Sequence, residues 1–155
     1  MGNYYTQKIV NIESNDSVMT LPYQSIVGVS RSLTPMQLIE TSRLGLPGSE
    51  TNRVAGLLAI TDKEMARLLN QSPATFHRQA KIGRLDAATS ERLLVLARLA
   101  NYGAEVFQDR GKFTRWLRRP LRLLNDCPPV DFLDSPTGAQ LVEDILGRIE
   151  AGVFS

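Results

Sequence analysis

Apolar residues recur at helical spacing along most of the chain, and no alternating run competes with them, so the pattern predicts an all-α protein. Thr34-Pro35 offers a capping hydroxyl followed by a ring suited to a first helical position. It opens a helix carrying Met36, Leu38 and Ile39, which Leu44-Gly45-Leu46-Pro47-Gly48 breaks. A second helix runs from about Ser49 to Ala59. Thr61-Asp62-Lys63-Glu64 then reads as a capping box, ahead of Met65, Leu68 and Leu69 on one helical face and a stop at Asn70-Gln71. Ser72-Pro73 opens the next helix, with Phe76 and Ala80 inward and Gly83 as its left-handed end. From Asp86 to Phe107, Leu93, Leu96, Leu99, Ala100 and Val106 predict one longer helix, loosened at Tyr102-Gly103. Lys112 to Arg119 places Phe113, Trp116 and Leu117 opposite Lys112, Arg115 and Arg119, and Pro120 ends it. Ser135-Pro136 opens a last helix with the stripe Leu141, Val142, Ile145, Leu146 and Ile149, stopped by Gly152. The expected organisation is a loosely ordered arm over 1–32, where no period is sustained, then a helix-turn-helix module over 33–100 and a small helical domain over 101–155.

The two short capped helices around Asn70-Gln71 are the part that bears on function. In helix-turn-helix proteins the second helix enters the major groove with its N-terminal residues toward the base edges. Thr75 and Arg78 are therefore the candidates for base contacts, Ser72, His77, Lys81 and Arg84 for phosphate contacts, and Gln71 for a contact from the turn. The same pattern also occurs in proteins that never meet nucleic acid, and this segment is only mildly basic. His77 as a surface residue without a role stands beside His77 as a phosphate ligand.

Composition narrows the classes. At 155 residues, 43% hydrophobic and 22% charged, the chain suits one compact unit or two small modules, which excludes a large multidomain enzyme. No apolar run approaches the roughly 18 residues that span a bilayer, and the first residues lack the apolar core of a secretory signal, so a cytoplasmic protein without a membrane partner is expected. One cysteine, Cys127, and one histidine, His77, leave too few ligands for a metal cluster and too few groups for nucleophilic catalysis. Cys127, before Pro128-Pro129, reads as a small packed residue. Glu143 and Asp144 point about 100° apart on a helix and do not converge on a substrate. No catalytic residue, metal or cofactor is expected. The net charge is only +2, but Arg110, Lys112, Arg115, Arg118, Arg119 and Arg122 form a stretch without an acid, whereas from Asp131 onward acids outnumber Arg148. That polarity fits two partner surfaces; a solvated basic face is the other reading.

Several stretches, in order, carry a resemblance over about residues 44–155: Gly45-Leu46-Pro47, Ser72-Pro73-Ala74-Thr75-Phe76-His77-Arg78, Gly83-Arg84-Leu85 and Ser90-Glu91-Arg92, then Ala104-Glu105-Val106-Phe107, Trp116-Leu117 with Pro120, Pro129 with Asp131 and Leu133, Gly138, and Gly147 through Phe154. Together they resemble the Xre/MbcA/ParS antitoxins, which pair an Xre-like helix-turn-helix with a C-terminal toxin-binding domain. The resemblance implies a dimeric repressor of its own operon, co-expressed with a RES-domain toxin that destroys NAD. It also implies that the C-terminal domain and chain end obstruct the toxin's active site. The candidates for that contact are Trp116, Arg148, Glu150, Gly152, Val153, Phe154 and Ser155, although residue type alone reads Phe113 and Trp116 as core. The tail Val153-Phe154-Ser155 leaves the last helix with no evident core to join and suits a partner's cleft. Two places depart from the family: Leu121-Arg122 follows Pro120 where an Asn-led segment is usual, and Asn125-Asp126 stands where glycine is frequent. The competing reading is a stand-alone regulator whose C-terminal helices only dimerise.

Overall fold

Helix caps within three residues of each start decide most of the architecture. The computed structural model describes residues 33–81 and 83–153; the predicted arm over 1–32, Phe154 and Ser155 lie outside the described residues. Seven α-helices follow one another among them: α1 (Pro35–Leu44), α2 (Glu50–Leu58), α3 (Asp62–Leu68), α4 (Pro73–Gln79), α5 (Ala87–Phe107), α6 (Arg110–Leu117) and α7 (Pro136–Glu150), with short 3-10 turns at Arg122–Leu124 and Pro129–Phe132 between the last two. Thr34 and Thr61 form full capping boxes with Gln37 and Glu64, and Ser72, Asp86, Asp109 and Ser135 cap α4, α5, α6 and α7. Each such cap satisfies an amide the helix cannot, worth about 1 kcal/mol.

Five details differ from the sequence-based expectation. The helix α4 closes at Gln79 rather than running to Gly83, because Ala80 already serves as its C-cap. Asp109 starts α6 two residues earlier than Lys112, by accepting from the Lys112 amide at 2.7 Å. No loosening occurs at Tyr102-Gly103: α5 is continuous, and a Cβ on Gly103 would stand 2.1 Å from the Phe113 ring, so this glycine exists for close approach. Leu141 is 40% exposed and drops out of the buried stripe of α7. Cys127 is also exposed rather than packed.

The long helix α5 organises the rest, packing against α1 and α2 on one side and α6 and α7 on the other. One continuous core results, in which Leu58, Met65, Leu68, Phe76, Leu93, Leu96, Leu99, Phe113, Leu117 and Leu146 are buried. Each stabilises the fold by roughly 1.5 to 3 kcal/mol relative to exposure. Because α5 runs across the expected division at residue 100, the two halves share a helix and part of a core.

Candidate DNA-reading and partner-binding surfaces

The turn between α3 and α4 is built by Asn70. Its φ of 54° is left-handed, and the amides of Asn70 and Gln71 donate back to the carbonyls of Arg67 and Ala66, which closes α3 and turns the chain into Ser72. The candidates of this module fall into two sets. Ser72 Oγ accepts from the Thr75 amide and donates to Thr75 Oγ1 at 2.9 Å. Gln71 Nε2 donates to Gln79 and Thr89. Arg84 donates to the carbonyls of Leu44 and Gly45, at 3.0 and 2.8 Å, and so ties the α1–α2 loop to the start of α5. These four side chains are engaged in shaping the module. His77 and Arg78 instead stand exposed on α4, and Lys81 stands exposed in the turn just after it, with the His77 ring edge-on to buried Phe76.

At the other end of the chain, α7 finishes through Gly152. With φ at +69°, its amide donates to the carbonyl of Ile149 and the next amide, of Val153, to that of Arg148. This left-handed turn directs the chain away from the helix axis, and Val153 emerges 57% exposed beside an open groove lined by Tyr102, Gln140, Glu143, Gly147 and Arg148. Arg148 is exposed. Glu150 is less available than its position suggests, since the buried Tyr102 donates its hydroxyl to Glu150 Oε2 at 2.9 Å. Trp116 is half-buried, 5.5 Å from Phe107 and 6.2 Å from Phe113 between ring centres, and serves mainly as packing. Phe154 and Ser155 lie outside the described residues. Asn125 and Asp126 both adopt left-handed φ, 54° and 61°, the conformation that glycine reaches most readily.

The sequence gives no hint of the contacts that join the halves. Arg118 donates to both carboxylate oxygens of Glu64, at 2.9 and 3.0 Å, and to the Ala59 carbonyl at 2.9 Å. Arg67, one turn along α3, reaches the Val130 and Asp131 carbonyls and pairs with Asp134 at 3.3 Å. Thus α3, the first helix of the motif, is held along its length by the C-terminal half. The hydrogen bonds from Arg118 hold the Glu64 carboxyl at about 2, down from 4.5, with Thr61 assisting and partial burial opposing. A carboxyl depressed on folding stabilises the protein above about 4.5 and loses that contribution as pH falls from 4.5 toward 2. Solvent screening limits it to about 1 kcal/mol, since Arg118 is nearly half exposed. Urea unfolding should therefore find Glu64→Gln about 1 kcal/mol less stable than the parent at pH 7, with the gap shrinking as pH falls from 4.5 toward 2. A gap that stays constant over that fall would contradict the pairing.

Glu143 pairs with Arg98 and Asp144 accepts from Gln140, on separate sides of α7. His77 lies outside both the groove beside Val153 and the pocket between α5 and α7 lined by Arg92, Val95, Arg98, Leu133 and Pro136. Among the described residues no cluster of His, Cys, Asp and Glu is placed to hold a metal, and no helix is long and apolar enough to cross a membrane.

Comparison with known proteins follows the same division. The antitoxin Xre-like helix-turn-helix domain matches residues 37–98, and the antitoxin Xre/MbcA/ParS C-terminal toxin-binding domain matches residues 103–152. The chain is 29% identical over 132 residues to the Prs ADP-ribosylating antitoxin of a Sphingobium species, across 79% of this chain and 83% of the relative. It is 26% identical over 113 residues to antitoxin Xre of Photorhabdus laumondii, across 72% and 76%. Among solved structures it is similar to a chain of the M. tuberculosis MbcT-MbcA toxin-antitoxin complex, with 25% identity, a TM-score of 0.54, and coverage of 70% of this chain and 96% of that one. Two matched domains in this order, spanning more than half of the sequence on a concordant all-helical fold, establish that the chain belongs to the Xre/MbcA/ParS family of antitoxins.

Proposed function

We propose that this antitoxin neutralises a RES-domain, NAD-degrading toxin by seating its C-terminal tail in the toxin's active site, and that it represses its own operon through α4. The observation that carries the first part is the exit of the chain at Gly152. Val153 is projected into solvent by a hydrogen-bonded left-handed turn at the end of the matched toxin-binding domain, with exposed Arg148 beside it. A short apolar segment that leaves a fixed helix end enters a cleft at small conformational cost. The name of the Sphingobium relative points to ADP-ribosylation, a chemistry that also draws on NAD. The test is co-expression with the product of the neighbouring gene. Co-purification and preserved cellular NAD support the reading, whereas a neighbour unrelated to RES toxins, or one that does not co-purify, favours a stand-alone regulator.

For DNA, the exposed residues of α4 and of the turn after it define the reading surface, with Arg78 as the base contact and His77 and Lys81 at phosphates; Gln71, Ser72, Thr75 and Arg84 mainly hold α4 in position. Two copies would present two such helices about one helical turn apart, roughly 34 Å, on a palindromic operator in the cytoplasm. Arg78→Ala should weaken operator binding by about 1 to 3 kcal/mol and relax preference at one base pair, measured by titration against operator and single-base variants. Unchanged affinity and preference would remove Arg78 from the surface.

A further inference from the structure

We propose that Arg115, Arg119 and Arg122, with Lys112 and Lys63, form a phosphate-binding ridge by which the toxin-binding half itself grips DNA beside the helix-turn-helix. The inference rests on the DNA-reading role proposed for α4 and extends the footprint to a domain that the family match assigns to toxin binding.

The basic stretch that the sequence presents as one block is divided in two by the fold. Arg110 and Arg118 direct their head groups inward, although Arg118 stays nearly half exposed. Arg110 donates to the carbonyls of Leu57 and Ala100 and to Asn101, and Arg118 is consumed by Glu64 and Ala59. Lys112, Arg115, Arg119 and Arg122 are exposed, and their side chains make no hydrogen bond or ion pair among the described residues. Because Phe113 and Leu117 are fully buried on the other side of α6, the face carrying Lys112 and Arg115, three apart, is fixed outward, and Arg119 is exposed just past the end of the helix. Between Lys112 and Arg119 no large apolar side chain is exposed, and Leu123, next to Arg122 at the end of the ridge, stands alone there as an exposed one among the described residues, so the apolar centre on which protein partners usually dock is missing from most of this face. It suits a ligand recognised by charge.

Its location selects the ligand. Arg118, between Arg115 and Arg119 on the ridge, is anchored on the Ala59 carbonyl and on Glu64 in the first turn of α3, where Lys63 is also exposed. In helix-turn-helix complexes the helix preceding the reading helix crosses the DNA backbone. A row of guanidinium groups attached to its first turn therefore stands beside phosphates. Acids that would oppose such contact are mostly occupied: Glu64 by Arg118, Asp131 and Asp134 by Arg67, and Asp109 by the cap of α6. Asp62 and Asp126 remain exposed at the margins.

Phosphate contacts are sequence-independent and release counterions, with log K falling by about 0.9 per contact for each decade of salt. The experiment is fluorescence anisotropy of the full chain on a mixed-sequence duplex of about three helical turns, over about 50 to 200 mM KCl. Arg115→Ala/Arg119→Ala/Arg122→Ala together should lower the salt slope by about 2 to 3 and weaken binding about ten- to a hundredfold at low salt. The triple Lys variant should retain most of the slope. A triple Gln variant repeats the neutralisation if the Ala variant melts early. An unchanged slope in the neutralised variants, with the parent chain binding, overturns the ridge and leaves the role of α4 intact. Loss of toxin co-purification at unchanged slope also overturns it and assigns the surface to the toxin. A parent chain that binds no duplex at any salt sinks the DNA reading of α4, and the ridge with it.

Discussion

Removal of residues 152–155 from the full chain should abolish protection of cells that co-express the toxin while leaving the fold and DNA affinity in place. Few contacts within the chain hold Val153. Its side chain is 57% exposed, and its amide and that of Gly152 do no more than complete the last carbonyls of α7, which water satisfies in their absence. The truncation should therefore cost about 1 kcal/mol or less of stability. If the tail is the element that fills the toxin's active site, its loss leaves a complex that still assembles through the domain but admits NAD. Growth arrest with retained co-purification and a nearly unchanged melting temperature is the expected result. Full protection by the truncated chain would place inhibition on the body of the domain, and Arg148 and the groove beside it would become the surface to examine.

Reading the sequence succeeded where the governing interaction is short-range. Thr34, Thr61, Ser72 and Ser135 each act on an amide three residues away, so their effect is written in adjacent letters, and the helix starts predicted from them agree with the structure. The helix-turn-helix follows for the same reason. What escaped was decided across the chain. Gly103 looks like a helix weakener until Phe113 is seen against it. Arg118 looks like one more surface cation until Glu64, 54 positions away, is found under it. The candidate surfaces divide similarly: exposure of His77 and Arg78 follows from the period of α4, but the use of Arg84 on the α1–α2 loop and of Glu150 on Tyr102 depends on which elements come together. The split of the basic stretch into an inward pair and an outward ridge belongs to this second class.

Two glycines on helices should respond to alanine with opposite signs, and the contrast tests how the halves are joined. Alanine improves on glycine in a helix interior by up to about 1 kcal/mol because it restricts the unfolded chain. Gly56 on α2 is exposed, with nothing within 4 Å of an added Cβ, so Gly56→Ala should gain about 0.5 to 1 kcal/mol. At Gly103 the same gain meets the Phe113 ring, whose Cε2, Cδ2 and Cζ would lie 2.1, 2.2 and 2.6 Å from the new carbon. That ring is fully buried and braced by Phe107 and Trp116, so it cannot swing aside without opening the seam between α5 and α6. Overpacking of this kind costs about 1 to 3 kcal/mol, and expelling a buried Phe from its site about 3 to 5. The net loss for Gly103→Ala should be about 2 to 4 kcal/mol, read as a lower urea midpoint at unchanged slope. A displaced α6 would also draw Arg118 from Glu64, so the gap between this variant and the parent should narrow as pH falls toward 2, where the parent is losing that ion pair as well. If Gly103→Ala instead matched the gain at Gly56, the close approach of α5 to α6 would be wrong, and with it the fixed placement of the basic ridge against α3.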